Sequence, residues 1–362
     1  MAAYLLKTEP RSKGPHPVNR SIRILIAALA VVAIAVVVIF VVAKPRPTTP
    51  APSSEPTGAA SATPAPAATW LSGASGDLTP TGEFGDWRGD PVGIAGTWAD
   101  DNKNMVQFYN LQPGGAYADW QADLDIAIGA IGDGETWAAA ATGAYDDRWT
   151  ESLEKLKAAR ASSPGQTFIR FAHEMNGNWY PWKVTADNYQ DFDTAWARFR
   201  ALQQQIYPES KLVFNVNRES VDTGMDWRNF FPGGDQVDVL SVDYYNQYPY
   251  VANSAEWDSA IQETDKWGAP KGLAQHLAFA KSVGLPFAIS EWSGNADNGD
   301  SPMFVDELLG FVQANAGTGP GQIEYEILFN VPQDDGRWLL TGEGARMPAS
   351  ADAYKKFFEK RG

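Results

Sequence analysis

Short apolar runs, rich in β-branched and aromatic residues, alternate with helix-like stretches through most of this 362-residue chain. The runs are residues 92–98, 124–131, 167–173, 211–216, 237–243, 286–290 and 323–330, and helical patterns lie between them, as at 146–160, 188–207 and 273–283. Strands that are hydrophobic on both faces and separated by helices form a parallel sheet. The length fits an α/β fold of the (β/α)8 (TIM) barrel type, typically about 250 residues. Seven strand candidates are visible rather than eight. The eighth is expected before Thr167, where Gly- and Ala-rich sequence blurs the pattern. Counting back from the C-terminus makes 167–173 strand four and 286–290 strand seven.

Ahead of this pattern stands an unbroken run of 20 apolar residues, 24–43. As a helix it would span about 30 Å, the thickness of a bilayer's hydrocarbon core. A secretory signal is the competing reading, but its apolar region is shorter, roughly 7–15 residues, and is followed by a small-residue cleavage site. Here the run ends at Lys44-Pro45-Arg46. The expectation is an uncleaved single-pass membrane anchor, with secretion after cleavage as the alternative. Five basic residues precede the run, which puts the N-terminus inside and the rest of the chain outside the cytoplasm. Residues 44–69, mostly Pro, Ala, Thr and Ser, read as a linker that cannot bury a core. The expected organisation is a basic tail at 1–23, the anchor at 24–43, the linker at 44–69 and one folded domain at 70–362.

Composition removes several function classes. The chain has no cysteine and three histidines, His16, His173 and His276, so thiolate chemistry is excluded and a multi-histidine metal site is not expected. Net charge is −15, and the part beyond residue 44 holds 23 basic and 43 acidic residues. Such a body repels phosphate backbones, so nucleic acid is not an expected partner, whereas a neutral polysaccharide meets no such repulsion.

Several strands end in polar and aromatic residues that a structural strand does not need. Residues 170–182 read RFAHEMNGNWYPW, 241–246 read SVDYYN and 289–293 read ISEWS. In a barrel the C-terminal strand ends build the active site. Glu174 and Glu291, at the ends of strands four and seven, would face each other across the mouth, as glycoside hydrolysis requires of its two carboxylates. Side-chain alternation puts Arg170, Ala172 and Glu174 on one face, likewise Ser241, Asp243 and Tyr245, and likewise Phe287, Ile289 and Glu291. Arg170 is therefore expected below the carboxylates, acting mainly near Glu291. Trp179, Tyr180 and Trp182 follow Glu174, and Trp292 follows Glu291, giving aromatic planes on which sugar rings stack.

The segments His173-Glu174-Met175-Asn176-Gly177 with Trp179, Asp243-Tyr244-Tyr245 and Ser290-Glu291-Trp292 resemble glycoside hydrolase family 26 over residues 85–340. That resemblance implies a retaining barrel enzyme, chiefly a β-mannanase, without cofactor or metal. It implies Glu174 as acid/base, Glu291 as nucleophile, His173 positioning the acid/base and Tyr245 bonding the nucleophile. Trp179 and Trp182 would then be sugar platforms, with Asp243 and Trp292 also at the substrate site. The family's β-mannanases usually carry a tryptophan near the end of strand eight, where this chain has Leu328-Phe329-Asn330.

Each feature also has a plainer reading. A His-Glu pair is often structural, Glu291 could pair with a nearby cation, and Asp243, Tyr244 and Tyr245 could pack at the rim. Trp98, at the end of the first visible strand, either stacks a sugar or packs in the core, and Asn217 and Arg218 are similarly open. Trp196, Trp227, Trp257 and Trp267 read as packing, residues 137–149 as a rim loop, and His276 as a helix residue. At the level of function, an endo-acting β-glycanase competes with a tethered hydrolase of the cell's own exopolysaccharide and with a non-catalytic carbohydrate-binding barrel. A monomeric catalytic domain is expected.

Overall fold

The computed structural model describes residues 69–101, 103–333 and 335–360. The anchor expected at 24–43 and nearly all of the linker lie outside these residues; among the described residues no helix is long and apolar enough to cross a membrane. Eight strands close a parallel barrel in sequence order: β1 Leu71–Ser75, β2 Ile94–Ala99, β3 Asp123–Ile128, β4 Thr167–Phe171, β5 Lys211–Asn217, β6 Val239–Asn246, β7 Phe287–Gly294 and β8 Ile323–Phe329. The seven expected strands are β2 to β8, and the eighth is β1. Its sequence, LSGAS, offers one large apolar residue and no β-branched one. Gly73 is needed there, because a Cβ would meet the Ile94 carbonyl oxygen of the neighbouring strand at 2.1 Å.

The barrel is filled from inside by Ile94, Phe168, Val213, Val239, Ala288, Tyr325 and Ile327. A larger apolar layer lies between strands and helices. In it Phe171 stacks on Phe199 at 3.8 Å and meets the edges of Trp149 and Trp196. The expected rim loop at 137–149 is a correction. This stretch supplies the helix Trp137–Ala141 and the start of Asp146–Arg160, and Trp137 and Trp149 are buried in that outer layer. Its alanines allow the short helix, and Thr136 caps it by accepting from the Ala139 N–H. His276 lies in the helix Leu273–Ser282, buried and stacked on Trp227.

A bulge in β7 corrects the expected face pattern. Val242 pairs with Ile289 but Asp243 pairs with Glu291, which leaves Ser290 as an extra residue. Ile289 packs outward with the helices while Ala288 faces the barrel interior. Strict alternation would then send Glu291 outward. The inserted residue resets the phase, so Ser290 and Glu291 both reach into the barrel.

Candidate active site

Glu174 is carried just beyond β4 by two non-glycine residues in the left-handed region, Ala172 (φ 55°) and Glu174 itself (φ 52°). Such conformations are costly for side chains larger than glycine and persist where the surroundings enforce them. Here Asn215 of β5 does so, its Oδ1 accepting from the Glu174 N–H at 3.1 Å. The Glu174 carboxylate accepts from Asn217 Nδ2 through one oxygen and from Trp179 Nε1 (2.7 Å) through the other. Trp179 can fold back because residue 177 is glycine: a Cβ there would lie 2.3 Å from its ring.

Glu291 is held differently. Its Oε1 accepts from Arg170 Nη1 at 2.6 Å and from Trp98 Nε1 at 2.9 Å, and its Oε2 from the Tyr245 hydroxyl at 2.7 Å. Both glutamates are at most 8% exposed. One carboxylate oxygen from each of Glu174, Asp243 and Glu291 lies within 4.8 Å of the others, the one acidic group among the described residues with spacing for a cation. Arg170 supplies positive charge to two of them, at 2.6 Å from Glu291 and 3.4 Å from Asp243.

The two glutamates have unlike surroundings. Burial, and then the charge of Glu291, push the Glu174 carboxyl up to about 7 against the opposing bonds from Asn217 and Trp179. Glu291 has the guanidinium in direct contact, which stabilises its negative charge. Burial opposes the charge on Arg170, but Asp125, Glu291 and Asp243 outweigh it and hold the group well above its ordinary value. Burial and the neighbouring Glu291 raise the Asp243 carboxyl.

Trp182, Asp243 and Trp292, expected at the substrate, lie instead in the layer beneath it, as does His173, expected to position the acid/base. Trp182 is buried, stacked on Tyr180 at 4.4 Å, and donates from Nε1 to the His173 carbonyl at 2.7 Å. His173 is buried against Tyr180, and burial and the charge of Arg170 hold its imidazole neutral. Asp243 accepts from Asn215 Nδ2 at 2.9 Å. Trp292 lies in the outer apolar layer and donates to Glu326 at 2.6 Å. Alternation along a strand cannot distinguish a side chain lining the cleft from one supporting it. Trp98, Trp179 and Tyr245 do line the cleft, a cavity of about 620 Å³.

Sequence reasoning missed Trp338. It comes from the loop after β8, its ring 4.7 Å from Tyr245, and forms part of the cleft wall beside Phe329. Strand eight carries no tryptophan, and the one in the cleft wall stands nine residues after Phe329. The one available signal was a lone tryptophan in a Gly- and Asp-containing loop. The wall also contains Asp100, Glu219 and Tyr248, and no lysine or arginine.

The sequence pattern described as glycosyl hydrolase family 26 matches residues 127–275, a segment that includes Arg170, Glu174 and Asp243. Over that segment, about two fifths of its length, the chain is similar to glycosyl hydrolase family 26. It is 26% identical over 155 residues to Endoglucanase H of Acetivibrio thermocellus, covering 41% of this chain and 16% of that protein. It is 30% identical over 148 residues to "Mannan endo-1,4-beta-mannosidase A and B" of Caldalkalibacillus mannanilyticus, covering 38% of this chain and 26% of that protein. The chain therefore spans a minor part of both relatives. The catalytic domain of a family 26 endo-β-1,4-mannanase from Bacillus sp. JAMB-750 superposes with a TM-score of 0.57 at 13% identity, over 80% of this chain and 85% of that domain. At that identity the likeness shows the barrel fold.

Proposed function

We propose that this protein is a family 26 retaining glycoside hydrolase of β-mannan-like polysaccharide. Glu174 donates its proton to the glycosidic oxygen while Glu291 attacks the anomeric carbon. The leaving sugar departs and an ester joins the remaining glycosyl unit to Glu291. Glu174, now ionised, takes a proton from water, which attacks the same carbon, breaks the ester and returns Glu291 as a carboxylate.

The observation that carries this reading is the pairing of two unlike carboxylates, with oxygens within 4.8 Å. That spacing is on the side of retaining enzymes, about 5–5.5 Å, and short of the roughly 6.5–9.5 Å that leaves room for an inverting water. A carboxyl pushed up to about 7 suits a group that starts protonated, and a carboxylate in contact with Arg170 suits one that starts charged. The mannanase names among the relatives support a mannan substrate, and the endoglucanase name keeps glucan on the test panel. The apolar run 24–43 supports a membrane-anchored enzyme acting outside the cytoplasm, a reading tested by fractionating cells with and without residues 24–43.

The decisive experiment is hydrolysis of β-mannan, glucomannan, lichenan, β-1,3-xylan and the host's own capsule by the wild type, Glu174→Ala and Glu291→Ala. Cleavage of one of these with retained anomeric configuration, lost in both variants, is the expected result. Glycan binding without turnover would instead favour a non-catalytic barrel, and a Glu291→Ala variant of wild-type activity would overturn the residue assignment.

A further inference from the structure

We infer that Asp125 of β3 is a positioning residue for Glu291, aiming it both through Arg170 and through the bulge residue Ser290. The inference rests on the reading of Glu291 as the nucleophile. Asp125 is fully buried and is not among the residues that line the cleft. Its Oδ1 accepts from Arg170 Nε at 2.6 Å, and its Oδ2 from Ser290 Oγ at 2.9 Å and from the Tyr325 hydroxyl at 2.8 Å.

A guanidinium is a rigid plane, so fixing two of its nitrogens fixes the direction of every N–H. Asp125 takes Nε and Glu291 takes Nη1, each at 2.6 Å, while Nη2 has no hydrogen-bond partner. Without Asp125 the plane is free to turn toward Asp243, which already lies 3.4 Å from Nη1. The second route is covalent. Ser290 is the extra residue of the bulge that turns Glu291 inward, and its hydroxyl is tied to the same carboxylate. Tyr325 braces that carboxylate from β8. One buried acid thus fixes the cation that the nucleophile contacts and the backbone that carries the nucleophile. Other ionisable groups facing the network are Tyr245 and Asp243 on β6, Glu174 and His173 beyond β4, and Asp100 after β2.

The test uses the full chain on the glycan that the wild type cuts, with Asp125→Asn, Ser290→Ala and Tyr325→Phe. Asp125→Asn, folded by circular dichroism, is expected to lower kcat about 10- to 100-fold with KM within about twofold, since small misplacements of reacting groups cost rate rather than binding. Its basic pH limb is expected to move to lower pH, because Arg170, relieved of one counter-charge, acts more strongly on Glu174. Ser290→Ala is expected to lose kcat severalfold at unchanged KM, and carries the test with Tyr325→Phe if Asp125→Asn does not fold. Wild-type kcat in the folded variants, or losses confined to KM, would overturn the inference alone. A wild type inactive on every glycan would overturn the functional reading and this inference with it.

Discussion

Glu174 is almost buried beside a second carboxylate, and that placement makes its charge a burden on the fold. Its folded pKa, about 7, is above the ordinary value of 4.5, so the folded state binds this proton more tightly than the unfolded one. Stability from this group is fully present at low pH and is lost as pH rises between those two values. Glu174→Gln is therefore expected to raise Tm by several degrees at pH 8 and to leave it nearly unchanged at pH 4, measured by thermal melts at both. In the wild type, kcat/KM should fall above about pH 7 as Glu174, the proposed acid/base, loses its proton. Trp179→Phe keeps a ring but removes the indole donor that favours the ionised form. Its basic limb should accordingly move to higher pH. An unmoved limb would show that another group sets it.

Among the elements, β1 shows what a pattern of apolar residues can and cannot reveal. The strands β2 to β8 were legible because each carries several apolar residues, large ones above all in the layer under the helices. β1 is made mostly of small residues; it closes the barrel by pairing with β2 and β8, and Arg88 fastens it from outside those ladders. The buried guanidinium donates to Ser72 Oγ at 2.9 Å, to the Tyr354 hydroxyl at 3.1 Å and to the carbonyls of Asp90 and Pro91 at 2.7 and 2.6 Å. Tyr354 belongs to the last helix, Pro348–Glu359, so one side chain links the first strand to the end of the fold. Arg88→Met would leave these acceptors unmatched, and a loss of about 3–5 kcal/mol is expected, with Tm lower by roughly 10 °C. KM and the pH limbs should not change, since nothing in this cluster lines the cleft. The site was readable in the same uneven way. Glu174, Glu291, Tyr245 and Arg170 stand at strand ends, where position alone implies the mouth. The β7 bulge that turns Glu291 inward, and the folding of Trp182 beneath Tyr180, depend on backbone shifts and packing that no periodicity encodes. Trp338 was invisible because its loop, not its strand, brings it to the cleft.

Charge on the whole molecule bears on which polymers can enter. The chain carries a net −15, and the cleft wall holds Asp100, Glu174, Glu219 and Glu291 with no lysine or arginine among its lining residues. Burial raises the Asp100 and Glu219 carboxyls, which weakens this negative field, and Arg218 and Lys271 beside Glu219 offset part of it. A neutral glycan has no charge for the field to act on, so its kcat/KM should stay within about twofold as NaCl rises from roughly 0.01 to 1 M, while the Debye length falls from about 30 to 3 Å. A carboxymethylated form of the same glycan brings like charges into the cleft. Its cleavage should be slower at low salt and should recover severalfold as screening shortens the repulsion. Replacing both Asp100 and Glu219 by their amides should remove most of that salt dependence while sparing the neutral substrate, as measured by reducing-end release at each ionic strength. If the carboxymethylated polymer stays equally poor at every salt concentration, the exclusion is steric. The aromatic wall of Trp98, Trp179, Tyr245 and Trp338 would then be the selective element, in place of the carboxylates.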